Sequence, residues 1–108
     1  MKLIELIGIL FNPEKLEKLI RALGLDTDSE ALLVYMREDL YITADIQIFE
    51  VEETEDELLF EKDGIKYIQL FPIDHIQNLI EFDLNMKNKR FSETQIAERL
   101  LEYRKHNA

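Results

Sequence analysis

Cysteine is absent from these 108 residues, so disulfides, thiolate nucleophiles and zinc sites of the cysteine type are excluded. Glycine and proline are scarce, at three and two, beside 46% hydrophobic residues, and that balance excludes a disordered or low-complexity chain. Long apolar runs are missing too: none reaches the roughly 18–20 residues of a membrane span. Residues 1–11, MKLIELIGILF, carry an acid inside their apolar run and lack a small-residue cleavage site. They therefore read as part of the fold and not as a signal peptide, and a cytoplasmic location is the expectation.

Positive charge is the other shortage. The chain has 13 Lys and Arg against 23 Asp and Glu, a net charge of −10. Such a surface repels nucleic acid and anionic lipid, so neither nucleic acid nor membrane is an expected partner. The imbalance is uneven. Residues 1–84 carry 7 basic against 20 acidic side chains, whereas residues 85–108 carry 6 against 3. The basic tail either lies on the acidic body of its own fold or docks on a neighbouring subunit or another acidic partner. Lys87, Lys89 and Arg90, then Arg99, Arg104 and Lys105, are interleaved with Phe91 and Tyr103. That mixture can bind single strands, but the three Glu within the tail and the charge of the body oppose it.

The clearest local signal is Asp63-Gly64, a two-residue hairpin turn whose positions both need positive φ. It fixes a register in which Glu61 faces Lys66, Phe60 faces Tyr67 and Leu59 faces Ile68. Both faces of this ribbon carry apolar side chains, so it is expected to be central and covered on both sides. Residues 1–11 read as a largely buried helix with a narrow polar stripe of Glu5, Gly8 and Asn12; a buried strand is the competing reading. Asn12-Pro13 caps and opens a second helix, in which Leu16, Leu19, Ile20 and Leu23 share a face before Gly24 ends it.

Residues 27–30 have the spacing of a capping box, predicting a third helix through Asp39, although residues 32–36 also suit a first strand. As a DNA-recognition helix it fails, since Asp28, Glu30, Glu38 and Asp39 stand against Arg37 alone. From Tyr41 the period becomes two, and its slip between Ile48 and Phe49 predicts a long strand with a β-bulge. The acidic residues 52–57 form the turn into the hairpin. Pro72 ends the hairpin's second strand, residues 72–76 make a corner, and residues 79–84 alternate as a further strand. Residues 85–90 read as a polar connector. Ser92 with Gln95 forms another capping box, opening a helix that runs to about His106.

Motifs for chemistry are weak. Residues 26–30 begin like a calcium loop, but Ala31 stands where the turn needs Gly and Arg37 where a bidentate Glu belongs. The carboxylates of residues 50–57 read as a solvated turn. His75 follows Asp74, but adjacent residues point apart, and no third group completes a triad. Phosphate loops, nucleophile elbows and metalloprotease spacings do not occur.

The fold expected is α+β: N-terminal helices, a curled antiparallel sheet of four or five strands built around a central hairpin (57–71), and a C-terminal helix packed on the sheet, in one acidic domain, 1–108. The function expected is a non-enzymatic protein-interaction or regulatory module that forms homo-oligomers or meets a protein partner. The alternative is a small-molecule-binding or catalytic domain with a pocket on the curled sheet. No cofactor, metal or catalytic residue is expected. Arg99, Arg104 and Lys105 are the candidate interaction residues. Arg104 breaks the apolar stripe of the last helix, so its stem is expected on the sheet with its guanidinium on a carboxylate.

Overall fold

The computed structural model describes residues 1–26, 31–83 and 91–106. Helices α1 (Leu3–Ile9) and α2 (Pro13–Ala22) come first. Helix α1 opens where the Glu5 carboxylate accepts the Lys2 N–H at 3.0 Å. It buries Leu3, Leu6, Ile7 and Leu10, leaving Glu5, Gly8 and Asn12 outside as the polar stripe requires. Helix α2 is capped by Asn12, whose side chain accepts from the Lys15 N–H at 3.2 Å, with Pro13 at its first position. Gly24 ends it at φ +72°, a left-handed conformation that glycine adopts without strain.

The sheet comprises β1 (Leu32–Arg37), β2 (Ile46–Glu50), β3 (Leu59–Lys62) and β4 (Ile65–Pro72), all antiparallel in the order β2-β1-β4-β3. Residues 32–37 are thus a strand, correcting the helix predicted through Asp39; the capping box at 27–30 lies outside the described residues. The reason is burial on both faces. Leu33, Val34, Tyr35 and Met36 are all buried, and a strand covered on both sides loses the period of two that would announce it.

The strand predicted from Tyr41 is also shorter than expected. Residues 41–44 form a turn, β2 begins at Ile46, and α3 (Val51–Thr54) follows it directly. The phase slip at Ile48–Phe49 marks a strand buried on both faces, with Ile48 in one core and Phe49 in the other. The register irregularity lies instead between β1 and β4. There Val34 pairs with Phe71 and Tyr35 with Gln69, leaving Leu70 unopposed, so Leu70 and Phe71 both enter the larger core. Such a bulge strengthens the twist and bends the sheet into an open half-barrel.

The hairpin register is the one its turn dictates: Leu59↔Ile68, Phe60↔Tyr67, Glu61↔Lys66 and Lys62↔Ile65. Asp63 and Gly64 sit at φ +54° and +77°. Within the sheet the two strands differ. β4 is interior, whereas β3 is an edge, so the expected cover on both sides holds for β4 alone.

After Pro72 the chain forms α4 (Ile73–Asn78) and a π-helical segment, Leu79–Asp83. The strand predicted over 79–84 is therefore not formed by its described residues. Leu79 and Ile80 are both buried, a consecutive pair that suits a helical continuation and not an alternating strand. The connector at 85–90 lies outside the described residues. Helix α5 (Glu93–His106) opens on the predicted box: the Gln95 N–H donates to Ser92 Oγ at 3.2 Å and the Ser92 N–H to Gln95 Oε1 at 2.9 Å. Helix α5 packs on α1, and its Ala97, Leu100 and Leu101 join the α1 and α4 side chains in the core beneath one sheet face. Among the described residues, no helix is long and apolar enough to cross a membrane.

Candidate functional site

The second sheet face carries a small aromatic core. Phe49 meets Phe60 and Tyr67 edge-on, each at 5.2 Å between ring centroids, and Tyr35 at 5.6 Å. Contacts of this kind contribute about 0.5–1.5 kcal/mol each beyond their burial. Lys62 lies with its ammonium 5.4 Å from the centre of the Phe49 ring and 2.6 Å from the Glu53 carboxylate. Glu53 pushes the Lys62 ammonium above the ordinary lysine range, and the only basic side chain of β3 is thereby held on this face.

A buried polar cluster sets where β3 begins. Tyr35 is fully buried and its hydroxyl donates to the Glu57 carbonyl. Gln69 Nε2 donates to Tyr35 Oη at 3.2 Å and to Asp56 Oδ1 at 3.0 Å. Glu55 and Asp56 adopt positive φ, 54° and 59°, and the buried Thr54 hydroxyl accepts the Asp56 N–H. The acidic segment is therefore not all turn, as expected from the sequence: Glu52 and Glu53 lie in α3, and residues 55–57 make a clamped turn after it. From it the Leu58 carbonyl accepts the Gln69 N–H at 2.8 Å, which starts the β3–β4 ladder.

That ladder fixes what the edge presents. Leu58, Phe60 and Lys62 direct their backbone groups at β4, so by alternation Leu59 and Glu61 direct theirs away from it. The Leu58 and Leu59 side chains are 59% and 71% exposed. Beside them a shallow trough of about 280 Å³ is lined by Leu59, Phe60, Glu61, Lys66 and Tyr67. Residues 50–63 carry eight carboxylates against the single Lys62, whose charge is taken up by Glu53. The outcome is an apolar strand edge that follows an acidic segment, with Lys66 facing Glu61 across the ladder at the trough.

The three residues singled out from the sequence are not brought together. Arg104 is half-buried and its Nε donates to the Gln69 carbonyl at 3.2 Å, so it does anchor α5 on the sheet, but through a backbone oxygen and not a carboxylate. Arg99 is exposed on α5. Lys105 borders a separate cleft of about 310 Å³ between α5 and Tyr41 and Ile42, where Glu98, Glu102 and His106 also lie. Lys87, Lys89 and Arg90 are outside the described residues. His75 packs edge-on to Phe71 at 4.9 Å, a structural contact. Among the described residues, no three His, Cys, Asp or Glu side chains gather to hold a metal ion.

Sequence reasoning missed Leu58 and Leu59, which it placed in a covered ribbon, and the Tyr35–Gln69 cluster behind them. Only one signal pointed there: a tyrosine and a glutamine inside otherwise apolar strands, each needing a polar partner once buried. Compared with known proteins, the chain matches no family model, no curated protein and no solved structure.

Proposed function

We propose that this domain is a non-enzymatic protein-interaction module that offers the β3 edge of its sheet to a partner. The observation that carries this reading is the outward backbone of Leu59 and Glu61 beside two exposed leucines. Folded proteins ordinarily cover, shorten or charge such an edge, because unpaired strand groups template further pairing. Here the leucines are left open after a charged segment.

Self-association, expected from the breadth of the apolar arc on α1, loses that support, since the arc is buried within the protomer. A β3–β3 pairing would also bring two acidic segments together. A different protein therefore suits the edge better than a second copy. The rival reading, a pocket on the curled sheet, has less behind it. The 310 Å³ cleft lies between residues 41–42 and α5, and the carboxylates of residues 52–57 are spread over α3 and the exposed turn after it.

The test is native isolation of the tagged chain from its source cells, beside Leu59→Asp and, as a control on the far surface, Lys18→Glu. A protein that co-purifies with wild type and with Lys18→Glu, but not with Leu59→Asp, is the expected result. Retention by Leu59→Asp would overturn the edge as the binding surface. Light scattering at tens of micromolar that shows a dimer would return the second copy to first place.

A further inference from the structure

We infer that the segment bound at this edge is an extended stretch of a basic protein, added to β3 as a fifth strand, with an apolar residue and a Lys or Arg two positions apart. The inference rests on the interaction reading above and specifies its partner. Strand addition follows from the backbone: the N–H and C=O groups of Leu59 and Glu61 point outward in the direction of the next strand. The side-chain spacing follows from the pleat. Leu59 and Glu61 lie two residues apart on one face, so an added strand sets one side chain beside Leu59 and its second neighbour beside Glu61. An apolar side chain there covers Leu59 at the trough, and a cation meets the Glu61 carboxylate.

Charge selects the same class. Residues 50–63, which lead into and through the edge strand, carry eight carboxylates; Lys62 is turned to the opposite face, where it meets Glu53 and Phe49, and Lys66 is the one cation lining the trough, facing Glu61 across the ladder. An acidic strand is repelled from this segment, whereas a basic one is drawn to it over a distance of about one Debye length, roughly 8–10 Å. A second copy brings its own residues 50–63, eight carboxylates against one Lys, to the edge and is disfavoured in the same way.

The test titrates labelled peptides into the full chain by fluorescence anisotropy. The probes are the octapeptide Val-Val-Lys-Lys-Val-Val-Lys-Lys, in which Val and Lys stand two positions apart on each face, its counterpart with Glu for Lys, the strictly alternating Val-Lys isomer, in which they never do, and the first peptide N-methylated at every amide. The Val-Val-Lys-Lys peptide should bind, weaken steadily as salt rises from about 50 to about 300 mM, and bind Leu59→Asp about tenfold more weakly or worse. N-methylation should abolish binding, because it removes the ladder donors of both strand edges without changing charge. Equal binding of the N-methylated peptide would overturn strand addition, and equal binding of the alternating isomer would overturn the two-residue spacing. Equal binding of the Glu counterpart would overturn the basic class; all three results leave the edge itself standing. If no peptide binds but cellular capture still depends on Leu59, the basic-strand inference falls and the edge reading survives. If capture is also indifferent to Leu59, both fall.

Discussion

Tyr35→Phe removes one oxygen from a fully buried side chain and so tests whether the cluster beneath β3 holds the edge in place. The hydroxyl donates to the Glu57 carbonyl and accepts from Gln69 Nε2 at 3.2 Å. A hydrogen bond of this kind contributes about 0.5–1.5 kcal/mol net, and a buried group left without a partner costs about 1–3 kcal/mol. The larger figure does not apply in full. Gln69 Nε2 keeps Asp56 Oδ1 at 3.0 Å, and the Glu57 carbonyl keeps a long bond from the same Nε2 at 3.5 Å. The expected loss is therefore about 1–1.5 kcal/mol in urea unfolding, near the upper end for a single bond. Because the bond ties β1 to the turn before β3, the amide of Gln69, which donates to Leu58, should exchange faster in the variant. Gln69→Leu should be coupled to it, with a double-mutant cycle giving about 0.5–1 kcal/mol. A stability within about 0.3 kcal/mol of wild type would refute the clamp.

Three further outcomes are expected. Gly64→Val meets open space around its new Cβ, so its cost comes from holding a β-branched residue at φ +77°, about 1–2 kcal/mol by urea unfolding; an unchanged midpoint would place the turn elsewhere. Arg104→Glu should lose about 1.5–3 kcal/mol, the cost of a charged bond to a backbone oxygen, while Arg99→Glu on the exposed face loses little; equal losses would deny Arg104 an anchoring role. Lys2 beside Asp45, at 2.8 Å, holds that carboxyl below its ordinary 3.8, so the pair's contribution is present above 3.8 and fades as pH falls through the lower, folded-state value. Asp45→Asn should accordingly flatten the acid limb of a stability–pH curve below pH 3.8 slightly, since the pair is exposed; an identical limb would refute the linkage.

The parts of the fold readable in advance are those set by chemistry a few residues apart. Asn12-Pro13, Ser92 with Gln95, and Asp63-Gly64 each satisfy backbone groups locally, and each forms where its pattern stands. The parts that misled depend on contacts distant in sequence. Residues 32–37 become a strand because two other strands flank them, at Ile46–Glu50 and Ile65–Pro72, and both faces are then covered. The position of β3 at the edge follows from β4 pairing with β1, which no pattern within the hairpin encodes. Leu58 and Leu59 therefore look like core residues in sequence and become surface residues in the sheet. Arg104 shows the intermediate case. Its break in the apolar stripe was legible, but its acceptor, the Gln69 carbonyl, exists only once the helix is docked.

The two edges of the sheet are guarded by different means, and the difference yields a last expectation. At β2 the guard is a non-covalent contact with residues 1–2 of the same chain: the Met1 carbonyl accepts the Ile46 N–H at 2.8 Å, and Lys2 bridges to Asp45. That edge is partly occupied by the chain itself and stays so at any moderate pH. At β3 the guard against self-pairing is charge, and charge can be titrated away. With a pI near 4.6, the molecule approaches neutrality as pH falls from 7 toward 5, and repulsion between two acidic segments fades with it. The exposed leucines and outward backbone of β3 remain, so two copies become able to pair edge to edge. Light scattering should show a single low-mass species at pH 7 and reversible association as the pI is approached. Leu59→Lys places a cation on the edge strand and removes its apolar side chain, and it should suppress that association, while Leu23→Lys, on an exposed leucine of the α2 end, should leave it intact. If both variants associate as wild type does, the β3 edge is not the contact, and charge is not what keeps it free.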